Sequence, residues 1–211
     1  MKLWKLYAMA LAGMLDIAVG ITVVFLFGKF FGQKMGLMSY VAGVFLSIAP
    51  DFDIIFLYLT DKKSHHEFIT HRPIIVLALV AGIGWFVENK FWSLLASILI
   101  FWHYLHDTEG FLGIKENGIA WLWPFSKYYY GFSDGKIVVK TSEERLKNAS
   151  FKSALNQYLY PNYRSFMELG ISSLLFCFIC TQFIGYKGML LFPIFWIIIL
   201  IGWALYKYSG H

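Results

Sequence analysis

Five of the chain's six histidines fall between His65 and His106, and Asp51, Asp53, Asp107 and Glu109 lie around them. Imidazole nitrogens and carboxylate oxygens are the ligand types of zinc, iron and manganese, so metal chemistry is the first expectation for this region. Asp51 and Asp53 follow Pro50, which interrupts a helix. If this Asp-x-Asp stays extended, both carboxylates point to one side; otherwise Asp53 is simply the N-cap of a helix opening at Ile54. His103, His106 and Asp107 stand at i, i+3 and i+4 and share one helix face, either as metal ligands or as an interfacial histidine cluster. His66 and His71 do not align on a regular helix and converge only if the segment bends ahead of Pro73. Arg72 offers a fork of donors to a phosphate or carboxylate, or else anchors the next helix at an interface. Glu109 reads as a base or as a solvated carboxylate.

What surrounds these groups is apolar. The chain has 211 residues, 58% of them hydrophobic and 15% charged, with a mean hydropathy of +0.59. An average soluble domain carries about 25% charged residues. Disorder is excluded by this balance, and an ordinary water-soluble enzyme is disfavoured. Ionisable groups that persist in such a chain are costly at membrane depth and usually functional. The net charge of +5 comes from lysines and arginines scattered along the chain without a dense run. That pattern suits the loops of a membrane protein, and no nucleic-acid partner is expected.

The elements that must position the site follow from apolar runs. About six membrane-associated helices are expected in an all-α polytopic protein, near residues 6–28, 37–60, 73–87, 91–107, 169–186 and 189–207. They form a single membrane domain. The segment 37–60 is broken at Ala49-Pro50-Asp51-Phe52-Asp53, and 73–87 with 91–107 makes a short hairpin that puts His71 and His103 on one membrane side. A turn at Gly185-Tyr186-Lys187-Gly188 joins the last two helices. The polar stretch of about 108–165 is an insertion of one hairpin and one helix. The hairpin turns at Phe132-Ser133-Asp134-Gly135-Lys136. The helix is opened by the capping box Thr141-Ser142-Glu143-Glu144, runs toward about Tyr160 and is ended by Pro161.

The insertion's lysines and arginines place it in the cytoplasm, with both termini on the same side. No small-residue cleavage site follows the first apolar run, so that helix is expected to be retained. Asp16 lies inside it and must face the bundle interior. Cys177 and Cys180, within an apolar run, read as two small buried hydrophobes.

These residues carry a resemblance. The sequence resembles the YdjM-like family of bacterial and archaeal inner-membrane proteins, described as metal-dependent hydrolases. Ala49-Pro50-Asp51-Phe52-Asp53 matches that family's P-D-x-D, and His66 to His71 its H-x-x-x-T-H. His103-Tyr104-Leu105-His106-Asp107 matches its H-x-x-x-D, and Trp123-Pro124-Phe125-Ser126 its W-P-F. Order and spacing agree over residues 37–126. Glu67, Phe68 and Arg72 depart from the family's usual residues, and Asp16 stands where its first helix often has a histidine.

The resemblance implies a hydrolase of the prokaryotic inner membrane. Its metal, zinc first among divalent ions, would be held by Asp51, Asp53, His66, His71, His103 and Asp107. A metal-activated water would attack a phosphoester or ester of an amphiphilic, lipid-like substrate, with Asp16 or Glu109 taking a proton and Arg72 holding a phosphate. The competing expectation is a small ion or proton transporter, or a structural metal site without catalysis. Substrate and oligomeric state are not readable from the sequence.

Overall fold

The computed structural model of this chain describes residues 2–57, 59–60, 64–108, 118–133, 136–148 and 155–209. In chain order the described elements are α1 (Lys2–Ala12), α2 (Met14–Phe30), α3 (Leu37–Ile48), a 3-10 turn (Ala49–Asp53) and α4 (Ile54–Leu57). Two further 3-10 turns follow, His65–Glu67 and Ile69–His71, then α5 (Pro73–Phe86) and α6 (Lys90–Thr108). The strands β1 (Tyr129–Ser133) and β2 (Lys136–Lys140) lead to α7 (Ser142–Asn148). Last come α8 (Tyr163–Ile184), a 3-10 turn (Gly185–Leu190) and α9 (Leu191–Tyr208). The protein is mostly helical.

Three helical stretches among the described residues are long and apolar enough to cross a membrane: Leu3–Phe30, Leu37–Phe56 and Tyr163–Tyr208. The expected count of about six membrane-associated helices is not confirmed by this measure. At 14 residues, α5 is too short; at 1.5 Å per residue it reaches about 21 Å of a hydrocarbon core about 30 Å thick. Tyr163–Tyr208 holds both final helices.

The chain divides into two compact units, Met1–Val44 with Lys152–His211, and Phe45–Phe151. In the first, Leu15, Ala18 and Val24 of α2 are buried, as are Leu169 and Ile179 of α8 and Ile199 and Trp203 of α9. Trp203 Nε1 donates to the Tyr158 carbonyl at 2.9 Å, which satisfies the indole in this core. The α8 helix starts earlier than the hydropathy suggests. Asn162 accepts from the Ser165 N–H, and Ser165 reciprocates to the Asn162 N–H, a capping box placed just after Pro161. At the other end Gly185 takes φ +66°, and a Cβ on Gly188 would lie 2.5 Å from the Thr181 nitrogen. Only glycine suits both positions, which is why the expected turn at 185–188 is glycine-bounded. Outward residues such as Ile197, Ile198 and Ile201 are exposed, as lipid-facing positions must be.

In the second unit α5 packs on α6. A Cβ on Gly84 would fall 2.0 Å from the Ser93 Cβ, so the helices approach through that glycine. Ile100, Tyr104 and Ile119 form its core, with Val76, Leu77, Val80 and Trp121 against them. The two strands pair antiparallel, Tyr129 opposite Lys140 and Ser133 opposite Lys136. Ile119 bridges to Tyr130, fastening the chain after α6 to the hairpin. The Thr141–Glu144 capping box opens α7 as its spacing predicts, with Thr141 Oγ1 accepting from the Glu144 N–H at 3.2 Å. Asp134 and Gly135 of the expected turn, and residues 149–154 of the expected long helix, lie outside the described residues.

Candidate metal centre

Four elements of the second unit supply the centre. Pro50 sits in the first turn of the 3-10 segment Ala49–Asp53, where its missing N–H costs nothing. Of the two alternatives the sequence left open, the structure takes the helical one, a 3-10 turn running into α4 at Ile54, and its two carboxylates do not point the same way. They reach the same imidazole from opposite edges. Asp51 Oδ1 lies 3.7 Å from His71 Nε2, whereas Asp53 Oδ2 lies 2.8 Å from His71 Nδ1.

His71 arrives by a bend. Phe68, in an extended conformation, separates the turns His65–Glu67 and Ile69–His71. The bend stacks His66 on His71 with ring centroids 4.7 Å apart. Regular helix then resumes at Pro73, which needs no donor at this position. From α6, His103 and Asp107 project together, Nε2 to Oδ2 3.1 Å. His106, on the same helix, instead stacks near Trp102.

Asp51, His71, His103 and Asp107 each turn one ligand atom to a common point, all within 4.8 Å of one another. Beyond the 3.1 Å edge just given, His71 Nε2 to Asp107 Oδ2 is 3.2 Å, His103 Nε2 to Asp51 Oδ1 is 3.5 Å and His71 Nε2 to Asp51 Oδ1 is 3.7 Å. Atoms bound to one zinc at about 2.1 Å in a tetrahedron would be separated by about 3.4 Å. The group can hold a metal ion. Both histidines are fully buried, while Asp51 and Asp107 keep 30% and 18% of their side-chain surface. The oxygens that face the common point, Asp51 Oδ1 and Asp107 Oδ2, are buried like the imidazoles; the exposure belongs to the rest of the two carboxylate side chains.

The electrostatics ask for a cation. Burial works against charge on His71, but hydrogen bonds that its ring N–H groups donate to Asp107, Asp51 and Asp53 outweigh it and push the imidazole up to about 10. Burial likewise opposes the Asp107 carboxylate, yet His103 and His66 hold it well below the usual range. Without a metal, protons on imidazole do the neutralising that an ion would do.

Asp53 and His66 were expected as ligands, and the structure gives them neighbouring positions. Asp53, 1% exposed, faces the far nitrogen of His71 and also accepts from the Thr70 hydroxyl. It thereby fixes the tautomer that turns Nε2 toward the common point. Tyr104 Oη in turn donates to the Thr70 carbonyl at 2.6 Å. His66 Nε2 lies 3.4 Å from Asp107 Oδ2, at the margin of the group. Arg72, next to His71, donates to Tyr129 Oη at 3.2 Å and to the Glu67 carbonyl at 3.4 Å. Asp16 is buried in α2, in the other unit, and is not among the four converging groups. Glu109 lies outside the described residues.

Sequence reasoning missed Arg145. Its side chain is 1% exposed, and its Nη2 donates to Ser64 Oγ at 2.8 Å. The available signal was its rarity: only three of the 18 basic residues are arginine, Arg72, Arg145 and Arg164. Arginine where lysine would serve for solubility points to a use for its planar fork.

No curated protein and no solved structure matches the chain. Residues 13–211 match the family model described as YdjM inner membrane protein, which extends through the last two helices. The apolar helices agree with that description, and the chain belongs to the YdjM inner membrane protein family.

Proposed function

We propose that this protein is a metal-dependent hydrolase of the inner membrane that cleaves a phosphoester of an amphiphilic, lipid-like substrate. The observation that supports this reading best is the set of four ligand atoms, from two imidazoles and two carboxylates, that lie within 4.8 Å of one another. Two imidazoles and two carboxylates suit zinc first among divalent ions. The ion supplies Lewis-acid chemistry, activating a water and polarising a phosphoryl oxygen. Asp51, His71, His103 and Asp107 would hold it. Asp53 orients His71, and His66 supports Asp107 or adds a ligand.

Hydrolysis places the hydroxyl of water on phosphorus and breaks the bond to the ester oxygen. One proton must leave the water and one must reach the departing alkoxide. Glu109, two positions after Asp107, is our candidate for that transfer. Arg72 holds the phosphate. The excess of basic residues in the polar insertion favours a cytoplasmic location for it and for both termini.

The experiment is metal analysis of detergent-purified protein together with phosphate release from phospholipid micelles. Wild type should retain near-stoichiometric metal and release phosphate. Asp51→Ala and His103→Ala should lose most of the metal and the activity, and Glu109→Gln should keep the metal and lose the activity. Unchanged metal content in both ligand variants would refute the centre. Ion flux into liposomes without any hydrolysis would assign transport instead.

A further inference from the structure

Outside the metal centre, the most unusual feature of the second unit is two arginines around one tyrosine. Arg145 Cζ lies 4.8 Å from the centroid of the Tyr129 ring, and Arg72 Cζ lies 5.4 Å from the same centroid. Arg72 is also 5.8 Å from the Trp123 ring. Aromatic faces tolerate guanidinium charge but do not hydrogen-bond its in-plane N–H groups. Nε and Nη1 of Arg145 and Nη1 of Arg72 are enclosed with no hydrogen-bond partner among the described residues. Enclosed donors of this kind are expensive unless something accepts from them.

Charge sharpens the point. Arg145 is desolvated and further opposed by Arg72, while Tyr129, Glu67 and Asp107 only partly offset this, so its guanidinium is held below its usual range. Glu67 is turned elsewhere in part, its Oε1 accepting from the Ser64 N–H at 3.0 Å. Arg145 is buried and Arg72 half-buried beside the same ring, and an anion with several acceptors would answer both charges.

Both arginines are tied to the metal centre. Arg72 follows His71 directly. Arg145 donates to Ser64 Oγ; that oxygen also accepts from the His66 N–H at 3.3 Å, and His66 faces Asp107.

We propose that Arg145, carried by α7 of the polar insertion, and Arg72 form a phosphate pocket beside the metal centre, selecting a phosphate with at least two ionised oxygens over a carboxylate. This deepens the hydrolase reading and rests on it. A tetrahedral oxyanion supplies acceptors in several directions, matching the three enclosed N–H positions, and guanidinium forks recognise it bidentately. A carboxyl ester, neutral at the scissile group, would leave both charges unanswered. The insertion thereby becomes a part of substrate selection.

The test is calorimetric titration of full-length, zinc-loaded protein in detergent with inorganic phosphate, with acetate, and with mixed micelles containing phosphatidic acid. Metal content is measured on the same samples. Wild type should bind phosphate and discriminate against acetate. Arg145→Gln and Arg72→Gln should each weaken phosphate binding by about tenfold or more with zinc retained, the size expected for a lost charged hydrogen bond. Arg145→Lys keeps the charge without the fork and should recover part of the loss; it also serves if Arg145→Gln does not fold. Arginine-dependent binding that is stronger for the micelles assigns a lipid headgroup, and binding stronger for inorganic phosphate assigns a soluble ligand. Phosphate affinity unchanged in zinc-retaining Arg145 and Arg72 variants, or acetate bound as well as phosphate, would overturn the pocket and leave the metal centre standing. Failure of the hydrolase reading shows separately, as no phosphate release from phospholipid micelles by the zinc-loaded wild type.

Discussion

His71 Nδ1 lies 2.8 Å from Asp53 Oδ2, and this hydrogen bond decides which imidazole nitrogen is turned toward Asp51, His103 and Asp107. Asp53 thus belongs to the centre without being one of the four converging groups. A carboxylate behind a ligating histidine raises its basicity and locks its ring, and its removal usually costs about 10–100-fold in metal affinity. Asp53→Ala is therefore expected to weaken zinc binding by that factor, whereas Asp51→Ala should abolish near-stoichiometric retention. Competition with a chelator of graded strength separates the two. Equal loss in both variants would make Asp53 a ligand.

The helix that follows His71, α5, and the helix that carries His103, α6, meet at one close approach. At Gly84 a Cβ would meet the Ser93 Cβ at 2.0 Å, its Oγ at 2.1 Å and its Cα at 3.2 Å. Gly84→Ala must push α5 from α6 and should cost about 1–3 kcal/mol, as overpacking typically does. Replacing Ser93 by glycine removes the two nearest atoms, so the double variant should recover part of the loss in denaturant unfolding. No recovery would place the strain elsewhere than at this contact.

How far the sequence was legible depends on how local each signal is. His103 and Asp107 are four apart on one helix, and that spacing alone puts them on one face. The bend that joins His66 to His71 was readable as a condition, because Pro73 and a five-residue interval exclude a regular helix. The role of Asp53 was not readable. Whether Pro50 opens a 3-10 turn or an extended strand changes where two carboxylates point, and both agree with proline's φ. Arg145 was out of reach for a different reason. It lies far along the chain from His71, in a short charged helix where Glu143, Glu144 and Lys147 all look solvated. Only the packing of β1 brings Tyr129 beneath it. Length left the span count open where it was marginal: α5 is apolar throughout, but its 14 residues are short for a crossing.

The start of α8 offers a test of local sequence control. Asn162 Oδ1 accepts from the Ser165 N–H at 3.0 Å, and Ser165 Oγ accepts from the Asn162 N–H at 3.1 Å. Loss of an N-cap of this type costs about 1 kcal/mol. Asn162→Ala should lower stability by that amount or more, because Asn162 Nδ2 also donates to the Gln157 and Tyr160 carbonyls; Asn162→Asp, which keeps the cap acceptor without those donors, should lose part of it. Amide exchange confined to the first turn of α8 would show the loss locally. If alanine there leaves the exchange unchanged, the capping box contributes nothing measurable.

At the start of α7 the same device responds to pH. Glu144 Oε2 accepts from the Thr141 N–H at 2.8 Å and from the Thr141 hydroxyl at 3.0 Å. The backbone bond first, and the hydroxyl second, hold the Glu144 carboxyl below its ordinary value of 4.5. A carboxyl depressed in the folded state contributes stability that is complete above its ordinary pKa. That contribution is lost as pH falls through the lower, folded value. α7 should therefore loosen as pH drops below 4.5 and stay unaffected by a rise above neutrality. Hydrogen exchange of the α7 amides, as protection factors in wild type and Glu144→Gln, reads this directly. Wild type should lose protection on acidification, and the variant should start lower and change less. Parallel acid profiles in the two proteins would show that Glu144 does not couple α7 to pH. Because α7 carries Arg145, any such loosening should also weaken phosphate binding in the same acid range.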